Sequence, residues 1–319
     1  DALAACRSPP RYEPCSLETF EPGSPSLRAA LERAVDFCAG YPHLGADEGL
    51  GLLLSGDNGV GKTHLAVAIL RELVVAKGTR GQYWDFHELI REIKSRWPIE
   101  VCLSAGLMGD EHAQILKEAG LDRMNHNLNT SERRYDAITS THTYADRVAT
   151  LEAAKRSGIE SCSGMIVGMG EESVDILEVA YKLRELQVPS IPVNFLIPIE
   201  GNQVQNDGSL TPERCLRTLC LMRFVNPTAE IRVAGGREGH LRTMQPFALY
   251  PSNSLFVEGY LTTKGDPVQE TYAMIRDAGF EVDGNDFFRE LASRTASGQG
   301  TDASQFRVPD GSDELLKPE

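Results

Sequence analysis

Ser161-Cys-Ser-Gly-Met-Ile-Val167, the helical run from Ser173 to Leu186, and Ile191-Pro-Val-Asn-Phe-Leu-Ile197 form one unbroken strand–helix–strand text. Both outer runs read as strand candidates, and the segment between them carries a helical pattern. Working outward, strand candidates recur at Val101–Ser104, Arg123–Asn127, Glu230–Ala234 and Ser254–Glu258, with helical patterns between them such as Tyr144 to Ser157. Strict alternation of this kind predicts an α/β fold with a parallel sheet or barrel. In a barrel, the strand ends that face the helix starts carry the chemistry.

Two other regions flank this one. Upstream, helices are expected over Ser26–Ala39, Lys62–Lys77 and His87–Trp97, with short strands at Gly51–Ser55 and Gln82–Phe86. Residues 285–319 are rich in Ser, Gly, Thr and Asp and are expected to be a disordered polar tail. The expected division is therefore 1–98, 99–284 and 285–319.

Composition narrows the classes. The 319 residues are 41% hydrophobic and 24% charged, as in globular proteins. The longest apolar stretch, Leu65 to Ala76, is interrupted by Arg71 and Glu72, so no membrane span is expected. The net charge of -14 is shared unevenly: residues 1–98 hold 11 Lys/Arg against 13 Asp/Glu, and the rest 21 against 33. Neither part offers a broadly basic surface, so nucleic acid is not an expected partner. Seven cysteines at irregular spacing in a large chain argue for a reducing, cytoplasmic setting rather than a disulfide framework. The chain opens on Asp1, which suggests a fragment or a processed product.

Gly56-Asp-Asn-Gly-Val-Gly-Lys62-Thr63 matches the P-loop pattern. Gly56, Gly59 and Gly61 let backbone N–H groups wrap phosphates, Lys62 reaches the β/γ-phosphates, and Thr63 binds Mg²⁺, so ATP with Mg²⁺ is the implied ligand. With Tyr12-Glu-Pro-Cys-Ser-Leu-Glu-Thr-Phe20 and the run from Tyr83 to Lys94, residues 11–97 resemble the helicase-loader and transposition-helper ATPases. That family continues into a strand with paired acidic residues. None follows Trp97, so the segment reads as a truncated P-loop NTPase βαβα unit.

From Glu100 onward the motifs change family. Cys102-Leu-Ser-Ala-Gly-Leu, Asn125-His-Asn-Leu-Asn-Thr-Ser131, Cys162-Ser-Gly-Met-Ile-Val-Gly-Met-Gly-Glu171, Pro192-Val-Asn-Phe-Leu and Arg232-Val-Ala-Gly-Gly-Arg-Glu238 occur in the order found in biotin synthase. Asn253-Ser-Leu-Phe and Leu261-Thr-Thr continue the resemblance, which covers about residues 100–283. The resemblance implies a radical S-adenosylmethionine (SAM) enzyme on a (β/α)₈ TIM-type barrel, here incomplete with about six βα units. It implies sulfur insertion into dethiobiotin, a [4Fe–4S] and a [2Fe–2S] cluster, and a homodimer. By the same resemblance Cys102, Cys162 and Arg232 fall on [2Fe–2S] ligand positions. Asn127, Asn129, Gly168 and Gly170 fall where the family meets SAM, and Asn125 and Asn194 where it meets dethiobiotin. An amide suits a ureido ring because it both donates and accepts. His126 and His142 show no metal-ligand spacing and read as packed or hydrogen-bonded residues.

The family's Cys-x-x-x-Cys-x-x-Cys motif for the [4Fe–4S] cluster does not occur in these residues, and the fourth [2Fe–2S] cysteine is absent too. Residues Leu52 to Trp97 would bring six expected strands to eight by count. In the ATPase fold those two strands are not neighbours, so two partly completed domains or a gene-level chimera are the expectation, and the competing functions are a biotin-synthase-type protein inactive alone, a nucleotide-binding helicase-loader-like adaptor and a non-functional fusion.

Overall fold

In a computed structural model, residues 6–41, 51–57, 59–199, 208–260 and 263–282 are described. The expected tail, 285–319, lies outside them. The chain divides into two compact units, Asp1–Pro98 and Ile99–Glu319.

The first unit is helical. Helix α1, Pro25–Gly40, begins at Ser24, whose hydroxyl accepts from the Leu27 amide, and Pro25 occupies the first turn. Helix α2, Lys62–Lys77, ends on left-handed Gly78. Helix α3 is Phe86–Arg96. Phe20, Ala34, Cys38, Leu65 and Ile69 make the core. The two strands expected here do not form: 51–55 and 82–85 pair with nothing in a sheet, and Leu53 is 89% exposed. A strand without a ladder partner has unsatisfied backbone groups and little reason to persist. Among the described residues the βαβα expectation is thus corrected to α-helices joined by extended connections, and the eight-strand count is not reached by this route.

The second unit keeps the alternation. Its strands are β1 Cys102–Leu103, β2 Arg123–Asn125, β3 Glu160–Cys162, β4 Met165–Val167, β5 Ser190–Phe195, β6 Glu230–Val233 and β7 Ser254–Leu255. Between them run α4 Asp110–Glu118, α5 Glu132–Ile138, α6 Tyr144–Arg156, α7 Ser173–Glu185 and α8 Pro212–Val225. Short α9, Arg237–Leu241, follows β6. Antiparallel β8 Gly259–Tyr260 and β9 Thr263–Lys264 precede α10, Val268–Asp277. All neighbours in the large sheet are parallel, in the order β1-β2-β3-β5-β6-β7, with β4 also on β5. This is the α/β, parallel order of a barrel-like (β/α) arrangement.

Three of these helices start where the sequence supplies a side-chain cap. Thr143 and Asp146 form a reciprocal capping box on α6, Glu172 and Asp175 do so on α7, and Thr211 caps α8 ahead of Pro212. The strand expected as one piece over Ser161–Val167 is split at Gly164. A Cβ there would lie 1.7 Å from the Pro192 carbonyl oxygen, so only glycine allows the approach. Pro192 sits inside β5, where its missing N–H would cost a ladder bond; the break opposite it accommodates that defect.

Register sorts the side chains. Residues level with one another or two apart share a face. Met124, Ile191, Val193, Ile231 and Val233 fall on one face, and the last four share a core with Val179, Leu183, Leu219 and Met222 of α7 and α8. The opposite face carries Cys102, Arg123, Asn125, Glu160, Cys162, Glu230 and Arg232. Among the described residues, no helix is long and apolar enough to cross a membrane.

Candidate active site

The polar face is the candidate site. Cys102 is level with Arg123, and Asn125 with Cys162, so β2 separates the two thiols. Arg232 shares the face from β6. The three residues matched to cluster ligands therefore meet on one surface of the sheet. Both thiols are free; Cys102 is exposed and Cys162 buried. Burial pushes both above the usual thiol range, and Cys162 adds to the rise at Cys102. Arg123 and Arg232 pull against that rise at both.

An ion-pair ladder not anticipated from the sequence runs beside them. Arg123 binds Glu160 at 2.9 Å and lies 3.9 Å from Glu230, and Arg232 grips both Glu230 oxygens at 3.0 and 3.1 Å. Burial favours a neutral Glu230, yet the Arg232 bonds and charge outweigh it and hold the carboxyl below its ordinary range. The signal available was Glu230 two residues before Arg232 in a strand, hence on the same face. On this face Asn125 Oδ1 and Arg232 Nε are buried polar atoms without a partner.

The asparagines divide by role. Asn127 Oδ1 accepts from the Gly164 amide at 3.0 Å, and its carbonyl accepts from Arg147 at 2.7 Å. Asn194 Oδ1 accepts from the Gly235 amide at 3.0 Å. Asn129, with φ at 69°, donates its amide to the Gly164 carbonyl and accepts from Ile166. These three tie strand ends and loops together, while Asn125 alone presents a buried oxygen without a partner. His126 is buried and held down to about 4, by burial first and then by Arg147 and His142, so it is neutral at pH 7.

After β4 the chain turns through Gly168 and Gly170, at φ 105° and 81°. A Cβ on Gly168 would stand 3.0 Å from Leu210 and 3.2 Å from Leu196. Glu171, buried, accepts from the Gly168 and Met169 amides.

A four-ligand iron–sulfur centre fits less well. Each of the seven cysteines has a place: Cys6, Cys15 and Cys38 are buried in the first unit, and Cys215 and Cys220 lie on α8. The polar face thus offers two thiols and a guanidinium that already grips a carboxylate. Among the described residues, no three His, Cys, Asp or Glu side chains are gathered as metal donors.

In the first unit, Gly56, Gly59 and Gly61 all have positive φ, and Lys62 opens α2. Its ammonium donates to the carbonyls of Gly56 and Asp57 at 2.8 and 2.7 Å. Thr63 is exposed.

Two family models match. That of the radical SAM superfamily covers residues 36–184, reaching upstream of the change of motif at 99. That of the biotin and thiamin synthesis associated domain covers 192–281. A biotin synthase of Acaryochloris marina is 56% identical over 231 residues, 72% of this chain and 64% of that protein. One of Magnetococcus marinus is 58% identical over 196 residues, 61% of each chain. The chain thus spans a little under two thirds of these relatives' length. Among solved structures, a methylornithine synthase superposes with a TM-score of 0.51 at 16% identity over 65% of each chain. The [FeFe]-hydrogenase maturase of Carboxydothermus hydrogenoformans gives 0.51 at 14%, over 63% of this chain and 53% of that one. At such identities these show the fold alone. Two adjoining family models and relatives at 56–58% identity, on motifs that the sheet register brings to one face, lead to one conclusion: the chain belongs to the biotin synthase family of radical SAM proteins.

Proposed function

We propose that these residues form the SAM- and substrate-facing part of a biotin-synthase-type (β/α) barrel of about six units, and that they do not insert sulfur into dethiobiotin unaided. The carrying observation is the shared polar face: Cys102, Asn125, Cys162 and Arg232 on neighbouring strands, with the Gly168–Gly170 turn beyond them. When bound and reduced by a [4Fe–4S] cluster, SAM supplies radical chemistry; that chemistry belongs to the cofactor. The chain's own residues bind and orient. Gly168 and Gly170 admit the adenosyl part, with Asn127 and Asn129 bracing the neighbouring backbone, and Asn125 offers its amide to the ureido ring. Asn194 fixes the turn after β6. The Cys-x-x-x-Cys-x-x-Cys motif does not occur in these residues and only three of the matched [2Fe–2S] positions carry a counterpart, so these residues do not by themselves supply the ligands of either cluster. The test is production of 5′-deoxyadenosine from SAM under anaerobic, reducing conditions with iron and sulfide supplied. None above a protein-free control is expected. Product retained after Cys102→Ala and Cys162→Ala would mean that another cysteine set builds the reducing cluster.

A second reading concerns the first unit. The Lys62 ammonium folded over Gly56 and Asp57 favours a phosphate loop, with ATP and Mg²⁺ as ligands. Equilibrium dialysis should show ATP binding that Lys62→Ala abolishes; equal binding by both proteins refutes it.

A further inference from the structure

The turn Gly168-Met-Gly170 is held by a carboxylate that is itself held from a distant helix. Glu171 has a side chain 1% exposed, and its oxygens take the amides of Gly168 at 3.0 Å and of Met169 at 2.8 Å. A carboxylate so buried needs a counter-charge, or it neutralises and releases its donors. Arg214, forty-three residues on, provides it: Nη2 lies 2.9 Å from Glu171 Oε1 and 2.6 Å from the Glu171 carbonyl. Arg214 stands in the first turn of α8, where the Thr211 cap and Pro212 fix the backbone. Its amide is the one that the Thr211 hydroxyl accepts from. The cap therefore aims the guanidinium as well as starting the helix. From the other side, Arg134 donates to the Met169 carbonyl at 3.0 Å and stands 3.1 Å from where a Gly170 Cβ would be.

We propose that Arg214 is a positioning residue for the adenosyl-binding turn, acting through Glu171 rather than by touching SAM; this rests on the reading of Gly168–Gly170 as the adenosyl contact. Both contacts come from Nη2, so lysine at 214, which keeps the charge but places its one nitrogen on a stem of different length and geometry, should replace it only in part.

The test uses the full chain as wild type, Arg214→Ala and Arg214→Lys. Amide hydrogen exchange is followed at Gly168 and Met169, with Val193 and Leu219 as core references. S-adenosylhomocysteine binding is measured by calorimetry. In Arg214→Ala, exchange at the two turn amides should rise roughly tenfold or more while the references stay unchanged. The S-adenosylhomocysteine affinity should fall by a similar factor, and Arg214→Lys should lie between. Unchanged exchange at Gly168 and Met169 in Arg214→Ala, or an equal rise at Val193 and Leu219, overturns the proposal. Failure of the wild type to bind S-adenosylhomocysteine sinks the adenosyl reading and the functional half of the proposal with it, and is told apart by the exchange data.

Discussion

Replacing Gly164 with alanine should unfold the second unit at far milder conditions. The added Cβ would lie 1.7 Å from the Pro192 carbonyl oxygen, against a normal carbon–oxygen approach of about 3.3 Å. The neighbour is backbone in a central strand, so it cannot swing aside as a side chain would. A shift of about 1.5 Å is needed, and three hydrogen bonds stand in its way. These are Gly164 N to Asn127 Oδ1, Asn129 N to Gly164 O, and Ser163 N to Ser190 O, each 3.0 Å. At ~1 kcal/mol apiece they contribute roughly 3 kcal/mol. Overpacking adds about 1–3 kcal/mol. The sum, about 4 kcal/mol or more, is a large share of the ~5–15 kcal/mol that holds a typical domain. Urea unfolding followed by far-ultraviolet circular dichroism measures it, and the transition of the second unit should move to lower urea. Gly239→Ala is the control, since nothing lies within 4 Å of its Cβ position. A Gly164→Ala protein within about 1 kcal/mol of wild type would show that β3 and β4 do not approach Pro192 as described.

Three further outcomes are expected. Asp175, with a fully buried side chain, accepts from Ser131 at 2.5 Å, Arg133 at 2.6 Å and the Glu172 amide at 2.7 Å, so Asp175→Ala should cost about 3 kcal/mol by denaturant titration. Burial alone would raise its pKa, but these bonds lower it; the stability it contributes is present above pH ~4 and lost as acid protonates it in the fold. His126 is depressed to about 4 by burial, Arg147 and His142, so it contributes stability present above pH ~6.5 that declines as pH falls toward 4; an imidazole NMR titration with a midpoint near 6.5 would contradict this. Maleimide should label exposed Cys102 ahead of buried Cys162, and both rates should climb with pH beyond 9, because burial raises both thiols; equal rates at pH 7 would contradict the placement.

The sequence by itself determined the parallel α/β order of the second unit. Six strand positions were legible because buried parallel strands leave apolar runs and capped helices leave paired signals such as Thr143 with Asp146. Helix α2 was legible to the residue, since Gly61 and Gly78 bracket it. The strands at 51–55 and 82–86 were not a matter of local pattern: an apolar run becomes a strand only where a ladder partner exists, and tertiary structure supplies none there. Likewise the break at Gly164 depends on Pro192, which is distant in sequence. The meeting of Cys102, Cys162 and Arg232 followed from family resemblance, but the ladder of Glu160, Arg123, Glu230 and Arg232 required register. Arg214 is the clearest case. Nothing near it in sequence marks a link to Glu171, because a salt bridge between a loop and the first turn of a later helix exists only once α7 and α8 pack side by side on the sheet.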